Sequence, residues 1–368
     1  MYILSLEIIN ACNLHCSYCY LGEKKNKVMP REVAEKAINI AVHEATKQND
    51  KKIEVYFIGG EPLLAFDDMM YYVDYINKNC EINDLTPSFS TTTNGTLLTE
   101  SIIEFLIINH FSLKISIDGT KKAHDLNRKY YDGRNSYDTI VSKIPLIKQY
   151  EKETGLFCHV AQVITPNNCQ YFFDGFKNLR ELGFSFVESG TDAFSKWDNL
   201  SVKILENQMK DAFCFYKVLK GRKEQFYWKM IEDRIRELYT SVPFFSCKAG
   251  LRTCYVTVDG DIYPCTEIDK KVKIGSTQTC LDVPKIRSFV GLHESKNSEC
   301  LACIWKDHCK ASGCIMNNYD INRDFFKPVY IECTLTKYLY SMIKGNISPA
   351  QNQLFQKYFE EREKKHVS

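Results

Sequence analysis

Six apolar, β-rich runs recur through the first 190 residues, and helical stretches separate them. The runs are 2–10 ("YILSLEIIN"), 52–60 ("KIEVYFIGG"), 88–95 ("SFSTTTNG"), 113–119 ("LKISIDG"), 156–166 ("LFCHVAQVITP") and 184–190 ("FSFVESG"). Strands that alternate with helices must pair in parallel through right-handed crossovers. The expected fold class is therefore α/β, a partial (β/α)6 TIM-like barrel. The first intervening helix is read over 30–47, with Pro30 in its first turn and an inward stripe of Val33, Ala37, Ile40, Ala41 and Glu44.

Parallel barrels carry their chemistry at the C-terminal strand ends. Those ends hold Cys12–Cys19, Gly59–Pro62, Thr93–Gly95, Ser116–Gly119 and Asn167 with Asn168. All of the first half's motifs thus fall on one rim. From 200 to 240 the chain reads helical. From 247 to 333 it is Cys-rich with short β segments, and a last, mostly polar helix is expected over 349–365.

Twelve of the 16 cysteines fall into two zones, Cys12–Cys19 and Cys247–Cys333. No apolar run reaches membrane-spanning length, and the N-terminus lacks a signal-peptide pattern, so a cytoplasmic protein is expected. A net charge of +2 gives no field that argues for nucleic acid or an anionic membrane. In a reducing compartment, spaced cysteines point to metal or redox chemistry rather than disulfides. Cys80, Cys158, Cys169 and Cys214 read as packed core thiols.

Cys12, Cys16 and Cys19 follow the first strand at C-x-x-x-C-x-x-C spacing. Three thiolates on a [4Fe–4S] cluster leave one iron open for a substrate or cofactor. On these residues alone, a zinc site completed by His15 or a distant cysteine is the alternative. "GGEPL" (59–63) ends the second strand, where paired glycines permit close approach and Glu61 offers a carboxylate to an amino group.

With these motifs together the chain resembles the radical S-adenosylmethionine (SAM) superfamily. The resemblance implies that Cys12, Cys16 and Cys19 hold the cluster and that Gly59, Gly60, Glu61 and Pro62 hold the methionine amino group. "TNGT" (93–96, with Asn94) and "SIDGTKKAHDLNR" (116–128) also look like family segments. By resemblance Ser116 lies near the ribose and Arg128 binds the SAM carboxylate. The implied chemistry is reductive cleavage of SAM to a 5′-deoxyadenosyl radical that abstracts a hydrogen atom. An external electron donor, a flavodoxin or ferredoxin, is then required.

The second zone is similar to the SPASM domain appended to many such enzymes. Cys247, Gly260 and Cys265 satisfy its opening spacing. Cys300, Cys303 and Cys309 satisfy the next, but four residues rather than three separate Cys309 from Cys314. The resemblance assigns Cys247, Cys254, Cys265 and Cys314 to one auxiliary cluster and Cys300, Cys303, Cys309 and Cys333 to another. That makes three [4Fe–4S] clusters with SAM. Zinc is the alternative occupant of this zone. Cys280 is left over, either as a spare buried thiol or as a group facing the substrate. The implied domains are 1–240 (barrel with bridging helices), 241–340 (auxiliary clusters) and 341–368 (C-terminal helix).

SPASM enzymes act mostly on peptides or proteins. Two classes fit: maturases that crosslink ribosomally made peptides, and anaerobic sulfatase maturases that make formylglycine. The sulfatase group has Gln before Gly-Gly-Glu-Pro, where this chain has Ile58. It has a base Asp after "YPC", where this chain has Thr266, with Glu267 one residue on. For crosslinking, a leader peptide would bind outside the N-terminal segment or through a separate leader-binding protein, because the cluster motif begins at Cys12. A non-enzymatic iron–sulfur or zinc adaptor is the remaining reading.

Overall fold

β-Branched and aromatic side chains at alternate positions draw these runs into strands whose one face meets the helices. The computed structural model describes residues 1–22, 24–266 and 270–348. Its strands are β1 (Tyr2–Ile9), β2 (Leu14–Cys16), β3 (Lys52–Gly59), β4 (Thr86–Thr93), β5 (Ser112–Ser116), β6 (Arg128–Tyr130) and β7 (His159–Ile164). They continue as β8 (Phe186–Thr191), β9 (Tyr227–Trp228), β10 (Thr253–Val256), β11 (Asp261–Tyr263), β12 (Gly275–Ser276) and β13 (Cys280–Leu281). The six expected strands lie side by side and parallel in the order β1-β3-β4-β5-β7-β8. The sheet stays open, as expected of a partial barrel. β9 extends one end, and β10 pairs in parallel with β1 at the other, carrying antiparallel β11, β12 and β13. The Cys-rich zone therefore begins as part of the same sheet.

The first eight helices are α1 (Arg31–Thr46), α2 (Phe66–Ile82), α3 (Glu100–Ile108), α4 (Lys121–Asp125), α5 (Tyr137–Val141), α6 (Ile144–Thr154), α7 (Phe172–Glu181) and α8 (Asn199–Gly221). After them come α9 (Lys229–Tyr239), α10 (Val283–Val290), α11 (Ser298–Leu301), α12 (Ile315–Asn322) and α13 (Tyr330–Asn346). The core lies between the sheet and this outer layer, with Phe57, Phe89 and Phe111 stacked within it.

Local readings need correction in several places. The stripe that α1 buries is Ala34, Ala37, Ile38, Ala41, Val42 and Ala45. Val33, Ile40 and Glu44 sit only at its margins, because small alanines let the helix lie close on the sheet. Pro30 caps α1 in an extended conformation rather than opening its first turn. The 200–240 segment is two helices split by β9. There Trp228 is fully buried against Phe176 at 4.6 Å, and its packing overrides the helical pattern. Cys214 is exposed rather than core. Cys280 is exposed too, at φ +58° on β13, which removes the spare-buried-thiol reading. Glu267 and the helix expected over 349–365 lie outside the described residues.

Candidate active site

Two strand ends clamp the first cysteine loop. The Gly60 N–H donates to Ile9 O and the Glu61 N–H to Ala11 O, each at 2.9 Å. A Cβ on Gly59 would stand 2.1 Å from Ile9 O, and one on Gly60 would stand 2.1 Å from Ala11 O. The glycines are thus required by the cysteine loop's own backbone. β2 then pairs antiparallel with β6, setting Cys16 opposite Arg128.

Buried polar groups fix this rim from behind. Glu61 is fully buried, and its carboxylate accepts from Thr93 Oγ1 (2.6 Å), Asn94 N (2.7 Å) and Leu63 N (3.1 Å). Burial pushes its pKa up to about 7, against those three donors. The carboxylate expected to meet a ligand's amino group is spent on the protein, while Gly59, Gly60, Thr93 and Asn94 line the cavity. The Asn94 amide donates to Asn13 Oδ1 at 2.8 Å and lies 3.9 Å from Cys12 Sγ.

Arg128 is buried, not a surface charge. Its Nε donates to Asp118 Oδ1 at 3.2 Å, its Nη1 lies 3.9 Å from Cys16 Sγ, and Tyr18 stacks beneath it at 5.1 Å. Tyr18 Oη donates to Asp118 Oδ2 at 2.7 Å. Burial alone would lower the Arg128 pKa, but Asp118 and Tyr18 hold it above its ordinary value. Further back, Asp118 N donates to His124 Nδ1. Ser136 Oγ donates to Arg128 O, so it must accept from His124 Nε2–H at 2.9 Å. His124 is therefore neutral with its proton on Nε2. Sequence reasoning did not single out Asp118, Tyr18 or His124; the Asp118–Arg128 pairing spans a ten-residue excursion whose closure only the fold reveals.

The three thiols border two cavities. One, of about 620 Å³, is shared with exposed His15 and Tyr131 and half-buried Lys24. The other, of about 530 Å³, opens over the strand ends and includes Ser116, Arg128, Asp192, Thr266, Asn317 and Glu332. Lys24 Nζ donates to Cys19 Sγ at 2.9 Å, and burial pushes Cys12 up to about 11. Three soft donors at a half-open rim, with Lys24 and Arg128 alongside, suit an anionic thiolate-bound cluster that keeps one position toward the strand-end cavity. Two carboxylates face that cavity: Asp192, which caps Phe194 N and Ser195 Oγ, and Glu332 on α13, which accepts from Thr191 at 2.6 Å.

In the second zone Cys300, Cys303, Cys309 and Cys333 line one pocket together. Cys247 and Cys314 are exposed, Cys265 is half-buried, and Cys254 is 1% exposed within β10.

The Radical SAM superfamily profile matches residues 6–191. A cysteine-type anaerobic sulfatase-maturating enzyme of Clostridium perfringens is 28% identical over 332 residues, 83% of this chain and 86% of that protein. The solved structure of native anSMEcpe with bound AdoMet and Cp18Cys peptide superposes with a TM-score of 0.78 at 21% identity, over 96% of this chain and 99% of that one. Streptococcus suis SuiB bound to precursor peptide SuiA superposes with a TM-score of 0.58 at 18% identity, over 90% and 75%. Among the described residues, no helix is long and apolar enough to cross a membrane.

Proposed function

The chain belongs to the radical SAM superfamily, and from that premise we propose that it is a maturase that oxidises a peptide by two electrons, forming a thioether or carbon–carbon crosslink in a ribosomally made substrate. The likeness to peptide-bound relatives supports a peptide substrate. Thr266 carries the choice of product: it lines the cavity with a hydroxyl where the sulfatase-maturating pattern places its base. Formylglycine formation is the second reading, favoured by the 28% identity to the Clostridium perfringens enzyme.

Cluster and SAM, when bound, supply reductive cleavage and a strong hydrogen-atom abstractor. In this reading Cys12, Cys16 and Cys19 hold the cluster. Arg128, fixed by Asp118 and Tyr18, meets the SAM carboxylate, and the backbone at Gly59 and Gly60 meets its amino group. Ser116 and Asn94 bound the ribose side. Glu332 and Asp192 are the carboxylates placed to take a proton from the substrate. With the first electron leaving the peptide in the abstracted hydrogen atom, clusters held by the cysteines of the 241–340 domain would take the second, and a flavodoxin or ferredoxin would supply the separate electron that SAM cleavage consumes.

Anaerobic reconstitution should give about twelve irons per chain, four per cluster. Replacing Cys12, Cys16 and Cys19 with Ala should remove about four of them and all 5′-deoxyadenosine formation. Cys303→Ala should leave some SAM cleavage but stop product formation. Mass spectrometry of candidate peptides decides the product. Loss of two hydrogens between residues supports a crosslink, and sulfur loss with an aldehyde hands the assignment to formylglycine. A redox-neutral, epimerised product refutes both.

A further inference from the structure

Side chains alternate across a strand, so neighbours on β10 face opposite sides of the sheet. Tyr255 pairs with Tyr263 of β11, their rings 6.5 Å apart, and its hydroxyl lies beside Glu7. Cys254 must therefore face the other way. Its register partner is Leu4, and its thiol lies against the Tyr2 hydroxyl under α1. Both of those neighbours are fully buried.

Other contacts bring together the backbone segments that carry three of the remaining cysteines. A Cβ on Gly313 would stand 2.7 Å from Phe245 N, which brings Cys314 beside the turn that carries Cys247. A Cβ on Gly250 would stand 3.6 Å from Pro264 Cβ, which brings that turn beside Cys265. Thr266, next to Cys265, and Asn317, three residues after Cys314, both line the cavity shared with the first cysteine loop.

We propose that the first auxiliary centre is held by three cysteines, Cys247, Cys265 and Cys314, that Cys254 is a core residue, and that one iron there is open to a soft anionic donor arriving from the cavity. This rests on the auxiliary-cluster reading above. A four-iron cluster takes one protein ligand per iron, so a missing thiolate leaves a site. A site beside the cavity takes its ligand from whatever binds there.

The test uses the full chain with Cys12, Cys16 and Cys19 replaced by Ala, so that only auxiliary irons remain. After reconstitution it should hold about eight irons. Adding Cys254→Ser should leave that number unchanged, whereas adding Cys265→Ser should halve it. ¹³C-labelled cyanide added to the reduced protein should give ¹³C hyperfine coupling in the auxiliary electron paramagnetic resonance signal. A halved iron content on Cys254→Ser, with circular dichroism unchanged, would overturn the proposal alone, and so would the absence of coupling in the parent. An iron content near zero in the parent would overturn the auxiliary-cluster reading as well.

Discussion

The first cysteine loop and the second cysteine zone are built on opposite principles. Cys12, Cys16 and Cys19 stand within eight residues, braced by strand ends and by the buried groups Glu61, Asn94, Asp118 and Arg128. Between Gly291 and Ala311, which carry Cys300, Cys303 and Cys309, only Trp305 is buried, and α11 is four residues long. The first site is shaped by protein hydrogen bonds before any metal arrives. In the auxiliary-cluster reading proposed above, the metal would supply much of the ordering free energy of the 291–311 segment. A site that must leave one iron open needs a rigid frame of its own. The segment that carries Cys300, Cys303 and Cys309, which with Cys333 would close a cluster with four thiolates, does not.

Iron removal should produce the largest difference. Anaerobic chelation is expected to speed amide exchange across 291–311 by at least about a hundredfold, while β1, β3, β4 and β5 keep their protection. Hydrogen exchange read by mass spectrometry checks this. Equal loss in the barrel strands would erase the contrast between the two regions.

Next in size is the Arg128–Asp118 pair. Arg128→Ala should cost the iron-free chain about 3–5 kcal/mol in denaturant unfolding, because it leaves the Asp118 carboxylate buried and unpaired. SAM binding should weaken as well. Combining Arg128→Met with Asp118→Asn should recover most of the stability but not the SAM affinity. If Arg128→Ala weakens SAM binding with no change in stability, the rim is not braced from within as described.

Glycines sharpen the contrast further. Gly119, at φ +108°, would place a Cβ 2.4 Å from Gly175 Cα, a backbone that cannot move aside. Gly119→Ala should therefore cost more than about 2 kcal/mol. Gly250, at φ +93°, meets nothing closer than 3.6 Å, so Gly250→Ala should cost only the backbone strain, about 1–2 kcal/mol. Thermal unfolding of the two variants gives the ranking. A reversed order would place the stiffer frame in the second zone.

The sequence made the barrel legible because period-two apolar runs and rim motifs are local signals. Cys12, Gly59, Gly60, Asn94, Ser116 and Arg128 do line one cavity or clamp its edge. What stayed hidden depended on facing and register. Whether Cys254 points at α1 or at Cys265 turns on one residue of alternation in a four-residue strand. The exposure of Cys280 follows from its place on the edge strand β13. The α1 stripe was misplaced because alanines carry little hydrophobic signal yet set the closest packing. Asp118 and His124 gain meaning only when β5, α4 and β6 fold back together.

The smallest expected effect is a pH dependence confined to the first region. His124 is buried and neutral; burial, then the Arg128 charge, hold its pKa well below the ordinary value. Its Nδ1 must stay unprotonated to accept from Asp118 N, and its Nε2–H holds Ser136 on the Arg128 carbonyl. The unfolded chain takes up this proton near pH 6.5 and the folded chain does not. The contribution is therefore fully present above that pH and is lost as pH falls below it, by at most about 1.4 kcal/mol per pH unit. Glu61 works in the opposite sense. Its pKa is raised to about 7, so it favours the folded state increasingly as pH falls from 7 toward 4.5. The native chain alone would show the two combined, so the measurement is the difference in unfolding free energy between native and His124→Gln proteins from pH 8 to 5.5. The native advantage should shrink below pH 6.5, and amide exchange across 291–311 should not follow it. A constant difference across that range would mean that His124 is not held neutral, and with it the proton assignment that ties Ser136 to Arg128 would fall.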